Sequence, residues 1–125
     1  MPIESRLQTK IKQWLKSKGA YAVTIWGGGL QTRGIPDILL CYKSIFIGLE
    51  LKTNTGRATP EQIENLHWIK EAGGIALICR SILEIEGILR LIDEGVSIND
   101  IQQSIRLPER RNKNVGRKRS GRTLP

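Results

Sequence analysis

The chain has 125 residues, enough for one compact domain and little more. Hydrophobic residues make up 39%, which suits a packed α/β core and argues against wholesale disorder. No apolar run approaches the roughly 18 residues that span a bilayer. The opening MPIESRLQTK also lacks the apolar stretch of a secretory signal, so a cytoplasmic protein without membrane contact is expected.

The net charge of +8 is unevenly spread. Residues 106–125 carry eight Lys/Arg against Glu109 alone, whereas residues 1–105 carry twelve against eleven acidic residues. A nearly neutral domain over 1–105 is thus followed by a basic tail over 106–125. A tail rich in Arg, Gly, Ser and Asn is expected to be flexible on its own. Its natural partner is a phosphate backbone, met by Arg110, Arg111, Lys113, Arg117, Lys118 and Arg119.

Taken in chain order, Ile3, Leu7, Ile11, Trp14 and Leu15 recur at helical spacing and predict a helix to about Lys18, closed by Gly19. Tyr21 to Trp26 reads as a short strand, broken by Gly27, Gly28 and Gly29. That glycine run does not open a helix and lacks a phosphate-loop lysine, so a loop near a substrate groove is expected. Asp37 to Tyr42 and Ile45 to Lys52 read as two strands joined by a tight turn at Lys43-Ser44. The turn lacks the Asn-Gly or Asp-Gly signal of the strongest hairpins.

Thr59-Pro60-Glu61-Gln62 opens a helix with agreeing signals: Thr59 suits the N-cap, Pro60 the first helical position, and Gln62 completes a capping box. Gly73-Gly74 ends it, and Ile75 to Cys79 is a fourth strand. Ser81 to Glu84 reads as a second capping box, opening a helix to about Glu94. A last short helix is expected over Ser97 to Ile105. The order is αβββαβα, with a possible extra helix. Trp14, Trp68, Cys41 and Cys79 lie in apolar surroundings and are expected in the core, and the single histidine, His67, is expected to be inert.

Chemistry enters through the alternation of the third strand. Ile45, Ile47, Leu49 and Leu51 point one way, while Phe46, Gly48, Glu50 and Lys52 point the other. A two-residue turn pairs Tyr42 with Ile45, and counting outwards sets Asp37 opposite Glu50. A one-residue slip would undo that count. Two opposed carboxylates repel unless a cation sits between them. Magnesium is a hard ion that takes oxygen ligands and keeps several waters. Lys52 is then suited to orient or deprotonate a water, or to offset transition-state charge. Arg33, just ahead of this turn, is a candidate phosphate contact.

Pro36-Asp37, twelve residues, then Glu50-Leu51-Lys52 resembles the signature of the PD-(D/E)XK nuclease superfamily. With Glu4 in the first helix, Gly34-Ile35-Pro36-Asp37 and Gln62 in the later helix, residues 3–80 resemble the VRR-NUC family. The resemblance implies a restriction-endonuclease-like αβββαβ core, a mixed central sheet flanked by helices. It implies Asp37, Glu50 and the Leu51 carbonyl as ligands of Mg2+, with Mn2+ able to substitute. Lys52 would be the catalytic lysine, Gln62 would complete the site and Glu4 would be an accessory acid. Both latter residues also have structural readings, Gln62 as a capping residue and Glu4 as an acid in the first helical turn. The implied activity is that of a DNA endonuclease selective for branched DNA such as four-way junctions, acting as a homodimer. A flap- or restriction-like specificity and a non-catalytic nucleic-acid-binding module are the alternatives.

Overall fold

The computed structural model describes residues 3–25 and 33–110, with side chains from Ser5 onward. Its elements are α1 (Ile3–Ser17), β1 (Tyr21–Thr24), β2 (Ile38–Tyr42), β3 (Ile45–Leu51), α2 (Pro60–Glu71), β4 (Ile75–Cys79), α3 (Ile82–Asp93) and α4 (Ile98–Ser104). The predicted elements are all present, most within a residue or two of their expected ends. The predicted Trp26 end of β1 and the Gly27–Gly29 run lie outside the described residues.

The sheet order is β1-β2-β3-β4. The first two pairings are antiparallel and β3–β4 is parallel, with α2 as the crossover. The β2–β3 register is the expected one, from Tyr42↔Ile45 to Ile38↔Leu49. Lys43 and Ser44 have φ of 48° and 71°, as a type I′ hairpin requires at both central positions. Asp93, at the end of α3, holds this turn. It accepts a 2.8 Å hydrogen bond from Tyr42 Oη and a 2.5 Å ion pair from Lys43 Nζ.

Two helical layers cover the sheet. On one face Ile38, Leu40, Ile47, Leu49, Ile75 and Leu77 meet Ile11 and Leu15 of α1, Ile85 and Leu89 of α3, and Ile101 of α4. On the other lies α2. Gly48 admits it closely, since a Cβ there would fall 2.6 Å from Ile69 Cδ1. Among the described residues, this face is covered over β3 and β4 alone. Tyr21, Cys41 and Phe46, which form one row across β1, β2 and β3, are exposed. Cys41 is therefore not a core residue as expected. Alternation from buried Leu40 and Tyr42 turns it to the uncovered face. Trp68 likewise departs from expectation: it is 48% exposed because Leu66 and Ile69 supply the sheet-facing side of α2. Cys79 is buried, and burial pushes its thiol up to about 11.

The capping box at Thr59 and Gln62 forms in both directions. The one expected at Ser81 does not, because the Ser81 side chain makes no cap bond. Instead Glu84 Oε1 reaches back to accept from Arg80 N at 2.7 Å.

β4 is an edge strand, and Gln102 of α4 covers it. Gln102 is 4% exposed, accepts from Ala76 N at 2.8 Å and donates to Ala76 O at 3.1 Å. One amide thus replaces a missing neighbouring strand. Gln102→Leu leaves two buried backbone groups unpaired and is expected to cost roughly 2–4 kcal/mol. Urea unfolding would show a lower midpoint at unchanged slope; a midpoint within error of wild type would mean that water replaces the amide.

Candidate active site

The site is built from the lead-in to β2 and the end of β3. Gly34, with φ of 83°, lies against α2, where a Cβ would meet the Glu61 carbonyl at 2.5 Å. Asn65 of α2 donates to Arg33 O at 3.2 Å. Pro36 is buried over Gly48. These contacts carry the chain into Asp37 along a fixed path.

Asp37 is held at both ends. Its carbonyl accepts from Ile25 N at 2.8 Å and from Gln8 Nε2 at 3.0 Å. Its Oδ2 accepts from Leu51 N at 2.8 Å, continuing the hairpin ladder one step past β2. A strand residue sends its N–H and C=O to the same side, so the Leu51 carbonyl also lies on the Asp37 side.

Glu50 is 1% exposed. One oxygen, Oε2, lies 3.4 Å from Lys52 Nζ. The other, Oε1, is buried and has no hydrogen-bond partner among the described residues. Burial chiefly, and next the charge of Asp37, push the Glu50 carboxyl up to about 8, against an opposing pull from Lys52. Asp37, Glu50 and Lys52 thus come together as the strand alternation expects. Among the described residues, no three of His, Cys, Asp and Glu cluster as a metal cage. The oxygen donors here are two carboxylates with a nearby backbone carbonyl. That set suits an ion that keeps much of its water, and the orphaned Oε1 is an oxygen such an ion would satisfy.

No family model and no curated protein matches the sequence. Solved structures do match in shape. A structure described as a VRR_NUC domain aligns with a TM-score of 0.57 at 20% identity, over 72% of this chain and 94% of its own. Hjc of Archaeoglobus fulgidus, described as a Holliday junction resolvase, aligns with a TM-score of 0.50 at 18% identity, over 62% of this chain and 67% of its own. The fold is restriction-endonuclease-like. At these identities the likeness speaks for the fold, and the site residues rest on their own geometry.

The remaining candidates divide. Gln62 Oε1 accepts from Thr59 N at 2.8 Å, so its amide oxygen serves the helix cap. Glu4 lies in α1 one turn before Gln8, and its side chain lies outside the described residues. Arg33 is exposed beside the site lead-in. Arg110 departs from the phosphate-contact expectation. Its guanidinium forks onto Glu71 at 2.5 and 2.8 Å and reaches Glu64 at 3.0 Å. Arg111, Lys113, Arg117, Lys118 and Arg119 lie outside the described residues. Gln8 is the site residue that sequence reasoning missed. Its signal was a polar residue in line with Ile11 and Leu15 on the apolar stripe of α1.

The raised Glu50 pKa fixes a sign. In metal-free protein the folded state holds the Glu50 proton up to about pH 8, whereas the unfolded chain releases it near 4.5. This contribution to stability is complete below pH 4.5 and is lost as pH rises to 8, with a slope of up to about 1.4 kcal/mol per pH unit. Glu50→Gln is expected to flatten the decline between pH 5 and 8 in urea unfolding with EDTA present. Parallel declines in wild type and variant would assign it to other groups.

Proposed function

We propose that the chain is a magnesium-dependent endonuclease that hydrolyses DNA phosphodiester bonds, selective for branched DNA such as four-way junctions. The observation that carries this reading is the buried Glu50 carboxylate, left with an unpartnered oxygen between Asp37 and Lys52. An isolated buried carboxylate is costly, and a divalent cation compensates it. Solved structures of the same fold include one described as a Holliday junction resolvase, which supports the branched-DNA part of the reading.

Asp37, Glu50 and the Leu51 carbonyl would hold the ion. When bound, it polarises the scissile phosphate and lowers the pKa of a coordinated water. Lys52, with its side chain 13% exposed, has access to solvent at the mouth of the buried pair. Its ammonium can hydrogen-bond the attacking water or a non-bridging phosphate oxygen, offsetting negative charge as the bond breaks. The Leu51 N–H and Gln8 keep Asp37 from swinging, so its carboxylate needs little reorganisation during reaction. Arg33 and the basic tail would grip flanking phosphates.

A flap- or restriction-like nuclease would share this site and differ only in substrate. A non-catalytic binding module would leave the orphaned Glu50 oxygen without a purpose. A labelled panel of linear duplex, single strand, flap and four-way junction, with magnesium or EDTA, tests all three. Cutting that needs magnesium, prefers the junction and falls about a hundred- to a thousandfold in Lys52→Ala is expected, in line with losses from removing transition-state charge partners. Binding without cutting under magnesium or manganese would favour the non-catalytic module.

We further propose a homodimer formed through the uncovered sheet face at Tyr21, Cys41 and Phe46. Tyr21 and Phe46 are 72% and 45% exposed, and adjoining apolar side chains of this kind mark association surfaces. A mass of twice 14.1 kDa by light scattering is expected for wild type, and a monomer for Phe46→Glu. A dimer that survives Phe46→Glu would place the contact elsewhere.

A further inference from the structure

A cleft of about 750 Å³ lies on the β4 side of Glu50, on the same face of the sheet. Its floor is Ile78, the register partner of Glu50 on β4, so it begins one strand spacing, about 4.8 Å, from the reactive column. Arg80 follows at the strand end, beside Lys52, whose N–H bonds to Cys79 O. The Arg80 Nη1 donates to the Thr53 carbonyl, which ties that guanidinium to the loop after β3.

The opposite wall is the segment after α4. Leu107 and Pro108 line it with apolar surface, and Arg106 stands beside them. This wall is anchored to α2. His67 Nε2 lies 2.7 Å from Pro108 O, and Arg110 carries the fork onto Glu71 and Glu64. His67 is thus a structural contact, and Arg110 fixes the wall.

The lining chemistry narrows the ligand. A bare phosphate would meet Glu84 and Glu109 as well as the two arginines. A purely apolar ligand would meet four charged groups. A nucleotide matches all parts. Its base has flat apolar faces for Ile78, Leu107 and Pro108, amino groups for the carboxylates, and a phosphate for the arginines. The volume lies within the range of small-molecule sites.

We propose that this cleft receives the nucleotide adjoining the scissile phosphate, with its base unstacked between Ile78 and the Leu107-Pro108 wall. The proposal rests on the nuclease reading for its placement beside the cut. Unstacking is easiest at a branch or unpaired position, so the cleft would give the enzyme a physical basis for preferring branched substrates.

The test uses the full chain and a four-way junction carrying 2-aminopurine at successive positions around the branch, read by fluorescence on binding and, separately, by cleavage. One position is expected to brighten several-fold, next to the cut. Leu107→Glu is expected to abolish the brightening. Arg106→Ala, whose side chain is exposed, is expected to raise KM about fivefold or more with kcat within twofold. Thermal melts of both variants would check that they fold. Should Leu107→Glu fail that check, Arg106→Ala still reads the site. Cutting with no bright position and an unchanged KM in Arg106→Ala would overturn the cleft while leaving the nuclease intact. Brightening lost in Leu107→Glu without any cutting would support the cleft and overturn the nuclease reading.

Discussion

The register of one hairpin governs the rest of the molecule. Lys43 and Ser44 both adopt positive φ, a conformation that side-chain-bearing residues enter at a cost. Asp93 offsets that cost by holding Tyr42 and Lys43 from the end of α3. With a two-residue turn, Ile38 meets Leu49 and the next position outwards brings Asp37 to Glu50. A slip of one residue would carry Glu50 to the opposite face, towards the core residues of α1 and α3, and would turn Ile47, Leu49 and Leu51 out together. Core packing and active-site assembly are therefore one constraint. The apolar face cannot be satisfied in a register that separates the carboxylates.

Much of this was legible because the signals were local. Alternation in Ile45 to Lys52 is a period-two pattern, and Thr59-Pro60-Gln62 encodes a cap within four residues. Both describe neighbours in the chain, and both appear as read. What escaped depends on partners distant in sequence. Gln8 donates to the Asp37 carbonyl across 29 positions, and Gln102 pairs with Ala76 across 26. Nothing in either segment marks which backbone group will lack a neighbour. Arg110 looked like part of a basic tail, yet Glu64 and Glu71 on one face of α2 claim it. Charge runs show a surplus of cations without showing which of them are already paired.

The misplaced core residues have the same origin. Cys41 sits in an apolar run and Trp68 lies near an apolar helix face, but neither pattern says which side will be covered. α2 lies over β3 and β4 and leaves the β1–β2 side of that face open. Among the described glycines, Gly48 and Gly74 are the ones against which Ile69 packs so closely. The placement of one helix therefore depends on two missing side chains, and the exposure of several aromatic residues follows from it.

Glu50 is where stability and chemistry pull against each other. A carboxylate at the end of an apolar strand, nearly closed off from water and facing Asp37, is disfavoured in its charged form. Lys52 relieves the strain only in part: it meets Oε2 at 3.4 Å and leaves Oε1 without a partner among the described residues. A closer ion pair would stabilise the fold more and would also occupy the oxygen that the proposed cation would use. Moving Glu50 into solvent would remove the tension, but water would then compete for the same oxygen with the proposed cation. The surrounding contacts hold the discomfort in place: Leu51 N–H and Gln8 lock Asp37, and Gly34 and Asn65 fix the path into it. A fold that holds two carboxylates together through this many independent contacts keeps a buried charge that the proposed cation would relieve.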